Sequence, residues 1–158
     1  MKAFPVAILS VLVFLAAGCG RKAPEVASSA TEFHKNVPPH GGTPVALGDD
    51  YCLEFVREPG TGVLSAYVLD DEMEEFIRIA APSLTITARL PGGDRPLVLT
   101  AVASSATGET VGATSLFQAQ ADWLRTTGDF DATLESVSVR GSSFAGIRFH
   151  LPAAAAAN

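Results

Sequence analysis

Tyr51-Cys52-Leu53-Glu54-Phe55-Val56-Arg57-Glu58-Pro59-Gly60-Thr61-Gly62-Val63-Leu64-Ser65-Ala66-Tyr67-Val68-Leu69 is the stretch that decides the fold. Tyr51, Leu53 and Phe55 alternate with Cys52 and Glu54, and Arg57 follows as one more polar strand residue, which reads as the period of a strand whose successive side chains leave opposite faces. Pro59-Gly60-Thr61-Gly62 is turn chemistry, and Val63 to Leu69 resumes an apolar run. The stretch therefore reads as an antiparallel hairpin.

Working outward, the same pattern recurs. Upstream, Thr43 to Leu47 predicts a short first strand, joined to the hairpin through Gly48-Asp49-Asp50. Downstream, after the acidic run Asp70 to Glu75, Phe76 to Ala80 predicts a short edge strand. Leu84, Ile86 and Ala88, the turn Pro91-Gly92-Gly93-Asp94, and Leu97, Leu99 and Ala101 predict a second hairpin. Ser104 to Gly112 is a polar loop, Ser115 to Ala121 a strand, and Asp122 to Arg125 one helical turn capped by Asp122 that lays Trp123 and Leu124 on the core. A last hairpin starts at Phe130 and turns at Gly141-Ser142. Leu134 is out of parity with Val137 and Val139, so a bulge at Glu135 or Ser136 is expected, with Ala145, Ile147, Phe149 and Leu151 facing inward. Turn signals about every eight to twelve residues and no long helical pattern predict an all-β domain. The expected form is an immunoglobulin-like antiparallel β-sandwich of about seven to eight strands, with closure into a barrel left open.

The segment before this domain has a different character. Lys2 is followed by an uncharged apolar run from Ala3 to Ala17, shorter than the roughly 20 residues of a membrane-spanning helix but suited to a secretory signal. It ends in Leu15-Ala16-Ala17-Gly18-Cys19, which resembles the lipobox of bacterial lipoproteins, with Ala16 at the third position before the cysteine and the leucine one place earlier. That resemblance implies acylation of Cys19, with palmitate, as the first residue of the mature chain; the other reading is a plain signal peptide with an incidental cysteine. The expected organisation is a signal over residues 1–18, a lipidated cysteine and flexible tether over 19–37, the β domain over 38–151, and a disordered alanine tail over 152–158. Gly20 rather than Asp after the cysteine resembles outer-membrane sorting, facing the periplasm. Arg21 and Lys22 lie where they would meet lipid headgroups.

Charge narrows the partners. Eleven basic residues stand against seventeen acidic ones, and loss of the signal removes only Lys2. No basic run tracks phosphates, so nucleic acid is not an expected partner; the membrane, through the lipid, and an envelope protein are. With Cys19 acylated, Cys52 has no disulfide partner and packing alone must hold the domain.

Pro39-His40-Gly41-Gly42, together with Gly48-Asp49-Asp50-Tyr51, Leu53-Glu54-Phe55-Val56, Tyr67-Val68-Leu69-Asp70 and Arg140-Gly141 before Phe144-Ala145-Gly146, resembles small secreted bacterial β domains that open with a Pro-His-Gly-Gly motif. The likeness covers roughly His40 to Leu151. It implies a lipoprotein β domain of a kind that sometimes stands beside or within periplasmic adaptors of heavy-metal efflux systems. Such domains commonly carry histidine directly after the tyrosine; here that position is Cys52, a softer ligand.

The candidate chemistry follows. His40 and Cys52 would suit Cu(I) or Zn, with Glu54, two residues along the strand and on the same face as Cys52, orienting or supplementing them. A structural zinc site takes four protein ligands, and a lone cysteine is often a buried apolar filler, so an inert Cys52 is the competing reading. His34 is a further ligand candidate in the tether, and His150 beside Arg148 reads as a solvated face. The run Asp70, Asp71, Glu72, Glu74 and Glu75 reads as a solvated loop or a calcium-attracting one, without EF-hand spacing. No nucleophile elbow, P-loop or dinucleotide fingerprint occurs. The expectation is a non-enzymatic envelope binding module, handling soft metal or, alternatively, a structural or protein-interaction lipoprotein.

Overall fold

The computed structural model describes residues 37–58 and 60–154. The signal, Cys19, the tether with His34, and the end of the alanine tail lie outside the described residues. Among those described, no helix is long and apolar enough to cross a membrane.

Eight antiparallel strands form one nearly closed sheet: β1 (Thr43–Leu47), β2 (Tyr51–Arg57), β3 (Val63–Asp70), β4 (Ser83–Leu90), β5 (Gly93–Ala101), β6 (Leu116–Gln120), β7 (Phe130–Val139) and β8 (Ser142–Leu151). Their spatial order is β1-β2-β3-β6-β5-β4-β7-β8. The run β4-β5-β6 leads back so that β6 lies beside β3, a Greek-key arrangement. The two halves of the sheet are joined only where Thr100 and Ala101 of β5 pair with Gln118 and Phe117 of β6, a corner at which the sheet folds over on itself. Phe55 of β2 stacks on Phe149 of β8 at 4.6 Å across the interior. One apolar core receives side chains from all eight strands, so the expected all-β antiparallel fold is present in sandwich-like form.

Alternation accounts for most strands, because each inward set (Leu53 and Phe55; Leu64, Ala66 and Val68; Leu84, Ile86 and Ala88; Leu97 and Leu99) is buried. Four local expectations change. Phe76 to Ala80 is no strand: Phe76 makes one bridge to Leu69 and Ile79 one to Thr114, so the segment straps across the end of β3 without a ladder. The helical turn Asp122–Arg125 is a 3-10 turn whose cap position is Ala121, with no side-chain cap bond. The last hairpin turns at Arg140-Gly141, both with positive φ, which suits a two-residue hairpin loop.

The parity change in β7 is real, but no extra residue produces it. Leu134 pairs with Ile147 and Ser136 with Ala145, so the register runs through without a slip. Both strands change face together: Glu135 and Ser136 are both exposed, as are Ala145 and Gly146. Gly146 takes a φ of +67°, a conformation that costs glycine little. Phe144, not Ala145, consequently packs on the core, against Tyr51 at 6.4 Å. Beyond Leu134, β7 has no pairing with β4, and the free end of the hairpin bends toward β1, which closes the sandwich.

Candidate functional site

β2 is buried on both faces. Leu53 and Phe55 enter the main core, while Cys52 and Glu54 leave the opposite face and are also fully buried, each at 0% exposure. The cover is built by two segments remote in sequence. Before β1, the turn Pro38 to Gly41 closes with a Gly41 N–H to Pro38 carbonyl bond of 3.0 Å. After β3, Met73 folds down onto Cys52, Leu69 and Tyr67 in a second, small apolar cluster.

Glu54 organises the first segment. Its Oε1 accepts the backbone N–H of His40 at 2.9 Å and that of Gly42 at 2.8 Å, and its Oε2 lies 2.8 Å from His40 Nδ1. The imidazole is stacked on Tyr67 at 3.8 Å and 10°, and Phe76 meets both rings edge-on. The glycines of the Pro-His-Gly-Gly motif now have a reason. Gly41 has a φ of +68°, and a Cβ on Gly42 would come within 2.5 Å of the Phe55 carbonyl oxygen and 2.8 Å of Val56 Cγ2. The motif lies flat on β2 because position 42 carries no side chain.

Cys52 takes no part in this hydrogen-bond set. Burial, reinforced by the carboxylates of Glu54, Asp70 and Asp71, pushes its thiol up to about 12, so it is protonated at neutral pH and a poor nucleophile. The same burial and the Glu54 charge raise the Tyr67 phenol. The structure thus joins His40 with Glu54 and leaves Cys52 in an apolar pocket beside Leu69 and Met73. Among the described residues, no group of three or more His, Cys, Asp or Glu side chains is arranged to hold a metal ion. The acidic run forms a turn. Asp70 Oδ1 accepts the N–H groups of Glu74 at 2.8 Å and Glu75 at 3.1 Å, and Asp71 N–H bonds the Asp50 carbonyl.

Compared with family models, curated proteins and solved structures, the chain matches none. Function has to be argued from these side chains.

Two further ionic groups, the half-buried Arg57 and the buried Glu109, were not expected from the sequence. Arg57, at the other end of β2, donates Nη1–H to the carbonyls of Gly128 and Pro152 and Nη2–H to those of Leu124 and Thr127, all within 3.0 Å, and lies 5.1 Å from the Phe130 ring centre. Burial lowers its pKa. Glu109 accepts the Ser115 hydroxyl at 2.6 Å, the Ser115 N–H at 2.8 Å and the Thr107 hydroxyl at 2.8 Å. Burial raises its pKa, but these bonds and the Arg78 charge outweigh it, and its carboxyl titrates below the ordinary value.

The opposite half-sheet carries a groove of about 600 Å³ on its outer face, lined by side chains of β4, β5, β7 and β8. Two cross-strand rows form its floor: Asp94, Arg89, Asp131 and His150, then Thr87, Thr133 and Arg148. In the first row the charges answer one another, with Arg89 Nε 3.9 Å from Asp94 and His150 Nδ1 2.9 Å from Asp131. His150 Nε2 also faces Asp129 at 3.6 Å. His150 does sit on a solvated face beside Arg148, and that face is concave.

Proposed function

We propose that this chain is a non-enzymatic, lipid-anchored protein of the bacterial cell envelope whose β domain is a binding module for another envelope component, and that it does not carry soft metal. The observation that favours this version is the state of the expected donors. Both oxygens of Glu54 are engaged by His40 and Gly42, and Cys52 is buried with its thiol pushed up to about 12. Ligation by Cys52 would require its deprotonation and displacement of the Met73 cover. The lipobox-like Leu15-Ala16-Ala17-Gly18-Cys19 supports the anchor, and the following residues supply reach from the membrane.

The test is a titration of the reduced mature protein, held in detergent, with Cu(I) and with Zn, alongside His40→Ala and Cys52→Ala. No binding tighter than about micromolar, roughly −8 kcal/mol, is the expected result. Stoichiometric tight binding lost in both variants would refute it. For the anchor, Cys19→Ser moves the protein from the membrane to the soluble envelope fraction; continued acyl labelling of that variant would overturn the assignment.

A further inference from the structure

We propose that the outer groove of β5-β4-β7-β8 binds an acidic saccharide, with Arg148 on the sugar carboxylate and the hydroxyls of its own row and the carboxylates of the neighbouring row on the sugar hydroxyls. This rests on reading the domain as a binding module and names the chemistry of what it binds.

The chain is acidic, with seventeen acidic residues against eleven basic, yet the Arg148 side chain has no ion-pair or hydrogen-bond partner among the described residues. It stands at the end of a row whose next member, Thr133, has a hydroxyl that is likewise without a partner among the described residues. A guanidinium fork beside a free hydroxyl is a donor set for a carboxylate, which it can hold through two parallel bonds.

The adjoining row limits the occupant to one negative charge. Asp94 and Asp131 lie two residues further along β5 and β7 in the same groove. Their carboxylates repel a phosphate or a polyanion, while they accept hydrogen bonds from neutral hydroxyls. Arg89 and His150 hold them from within the row, so each keeps acceptor capacity toward the groove. Thr87, whose hydroxyl bonds Glu135 at 3.2 Å, fills the middle. A peptide fits less well. The groove lies on a sheet face, where the strands' own ladders already engage the backbone groups a peptide chain would pair with. From Thr87 to Arg148 is two strand spacings, roughly 10 Å, a span that takes a sugar ring with its substituents.

The experiment is an NMR-monitored titration of the mature protein with galacturonate, with galactose, acetate and inorganic phosphate as separate arms. The variants are Arg148→Gln, Arg148→Lys, Thr133→Val and Arg140→Gln. Arg140 likewise has no ion-pair or hydrogen-bond partner among the described residues, and it lies in the β7–β8 turn outside the groove. Galacturonate is expected to bind saturably with shifts confined to Thr87, Thr133, Arg148 and their neighbours, at least tenfold more tightly than galactose or acetate. Arg148→Gln weakens it at least tenfold, Arg148→Lys and Thr133→Val several-fold, and Arg140→Gln leaves it unchanged. Equal binding of acetate, tighter binding of phosphate, no saturable galacturonate binding, or the same loss in Arg140→Gln as in Arg148→Gln would each overturn the proposal. His40, Cys52 and Glu54 are untouched in every variant, so the metal titration above reports separately.

Discussion

Replacing Glu54 tests whether the Pro-His-Gly-Gly turn is held by hydrogen-bond geometry or by charge. In Glu54→Ala three donors lose their acceptor: the N–H groups of His40 and Gly42 and the His40 imidazole. An unsatisfied buried donor costs about 1–3 kcal/mol. The turn is half-open to water, with the His40 side chain 34% exposed, so the lower end of that range applies to each. The expected loss is about 3 kcal/mol, a large part of the 5–15 kcal/mol of a typical domain. His40→Ala keeps both amide bonds and removes one hydrogen bond and the stack on Tyr67, at about 1–2 kcal/mol.

Glu54→Gln separates the two explanations. One oxygen, Oε1, accepts both amides, and a glutamine carbonyl can occupy that position while its NH₂ faces the imidazole Nδ1. The expected cost is about 1 kcal/mol, so the order of damage is Glu54→Ala, then His40→Ala, then Glu54→Gln. Urea denaturation reads the order as shifts in midpoint at constant slope, and amide exchange reads the turn directly, with the His40 and Gly42 amides released in Glu54→Ala and protected in Glu54→Gln. Equal damage from Gln and Ala would show that the negative charge holds the turn. A loss below about 1 kcal/mol for Glu54→Ala would refute the turn's dependence on this carboxylate altogether.

Three more expectations concern Cys52, Glu109 and Arg57. The Cys52 thiol, raised from 9.0 to about 12, keeps its proton in the folded state over a window in which the unfolded chain has lost it. Its contribution is therefore complete below pH 9 and lost as pH rises toward 12; wild type should lose stability across that window more steeply than Cys52→Ala, and thiol reagents should modify Cys52 only at the rate of unfolding. Glu109 titrates below the ordinary carboxyl value, so its contribution is present above that value and lost as pH falls through the folded one. Denaturation midpoints between pH 5 and pH 3 should fall less in Glu109→Gln than in wild type, and an identical slope would refute the assignment. Arg57→Met leaves the carbonyls of Leu124, Thr127, Gly128 and Pro152 without their donor; a loss of about 2 kcal/mol is expected, and Arg57→Lys should recover only part of it because an ammonium lacks the planar fork.

The strands were legible in the sequence where one face meets the core and the next residue meets a different environment. Thr43 to Leu47, Tyr51 to Arg57 and the two hairpins after them follow period two, and period two is what a half-buried strand imposes. The strap from Phe76 to Ala80 has the composition of a strand but makes only isolated bridges, and no local pattern distinguishes a bridge from a ladder. The site was partly legible. The spacing of Cys52 and Glu54 placed them on one face, but the residue His40 meets is Glu54 and not its expected partner Cys52, and whether that face was open or covered could not be read from the strand itself. Its cover comes from residues 14 positions upstream, at His40, and from Met73 downstream, and a sequence window sees neither. Arg57 read as one more polar strand residue because its four acceptors lie 67 to 95 residues away.

Glu54, Arg57 and Glu109 share one physical logic that bears on where ligands can bind. Among the described residues Cys52 is free, so no disulfide there ties a loop down, and buried loop backbone still needs partners. A carboxylate takes several donors and a guanidinium several acceptors from a single side chain. β2 carries one of each: Glu54 and Arg57 differ by three residues, so they leave opposite faces and secure opposite ends, the His40 turn at one and the loop after the 3-10 turn at the other. Glu109 does the same for the loop between β5 and β6. Recruiting any of these for a ligand would loosen part of the fold, since the bonds given up hold loop backbone and side-chain groups in place. The groove side chains are in the opposite condition. Arg89 and Asp94 are exposed and 3.9 Å apart, a surface contact worth under about 1 kcal/mol, and Arg148 has no ion-pair or hydrogen-bond partner among the described residues to give up. Recognition therefore costs least on the face whose charges do not hold the structure, which is why the groove, and not the motif that first draws the eye, is where a ligand is to be sought.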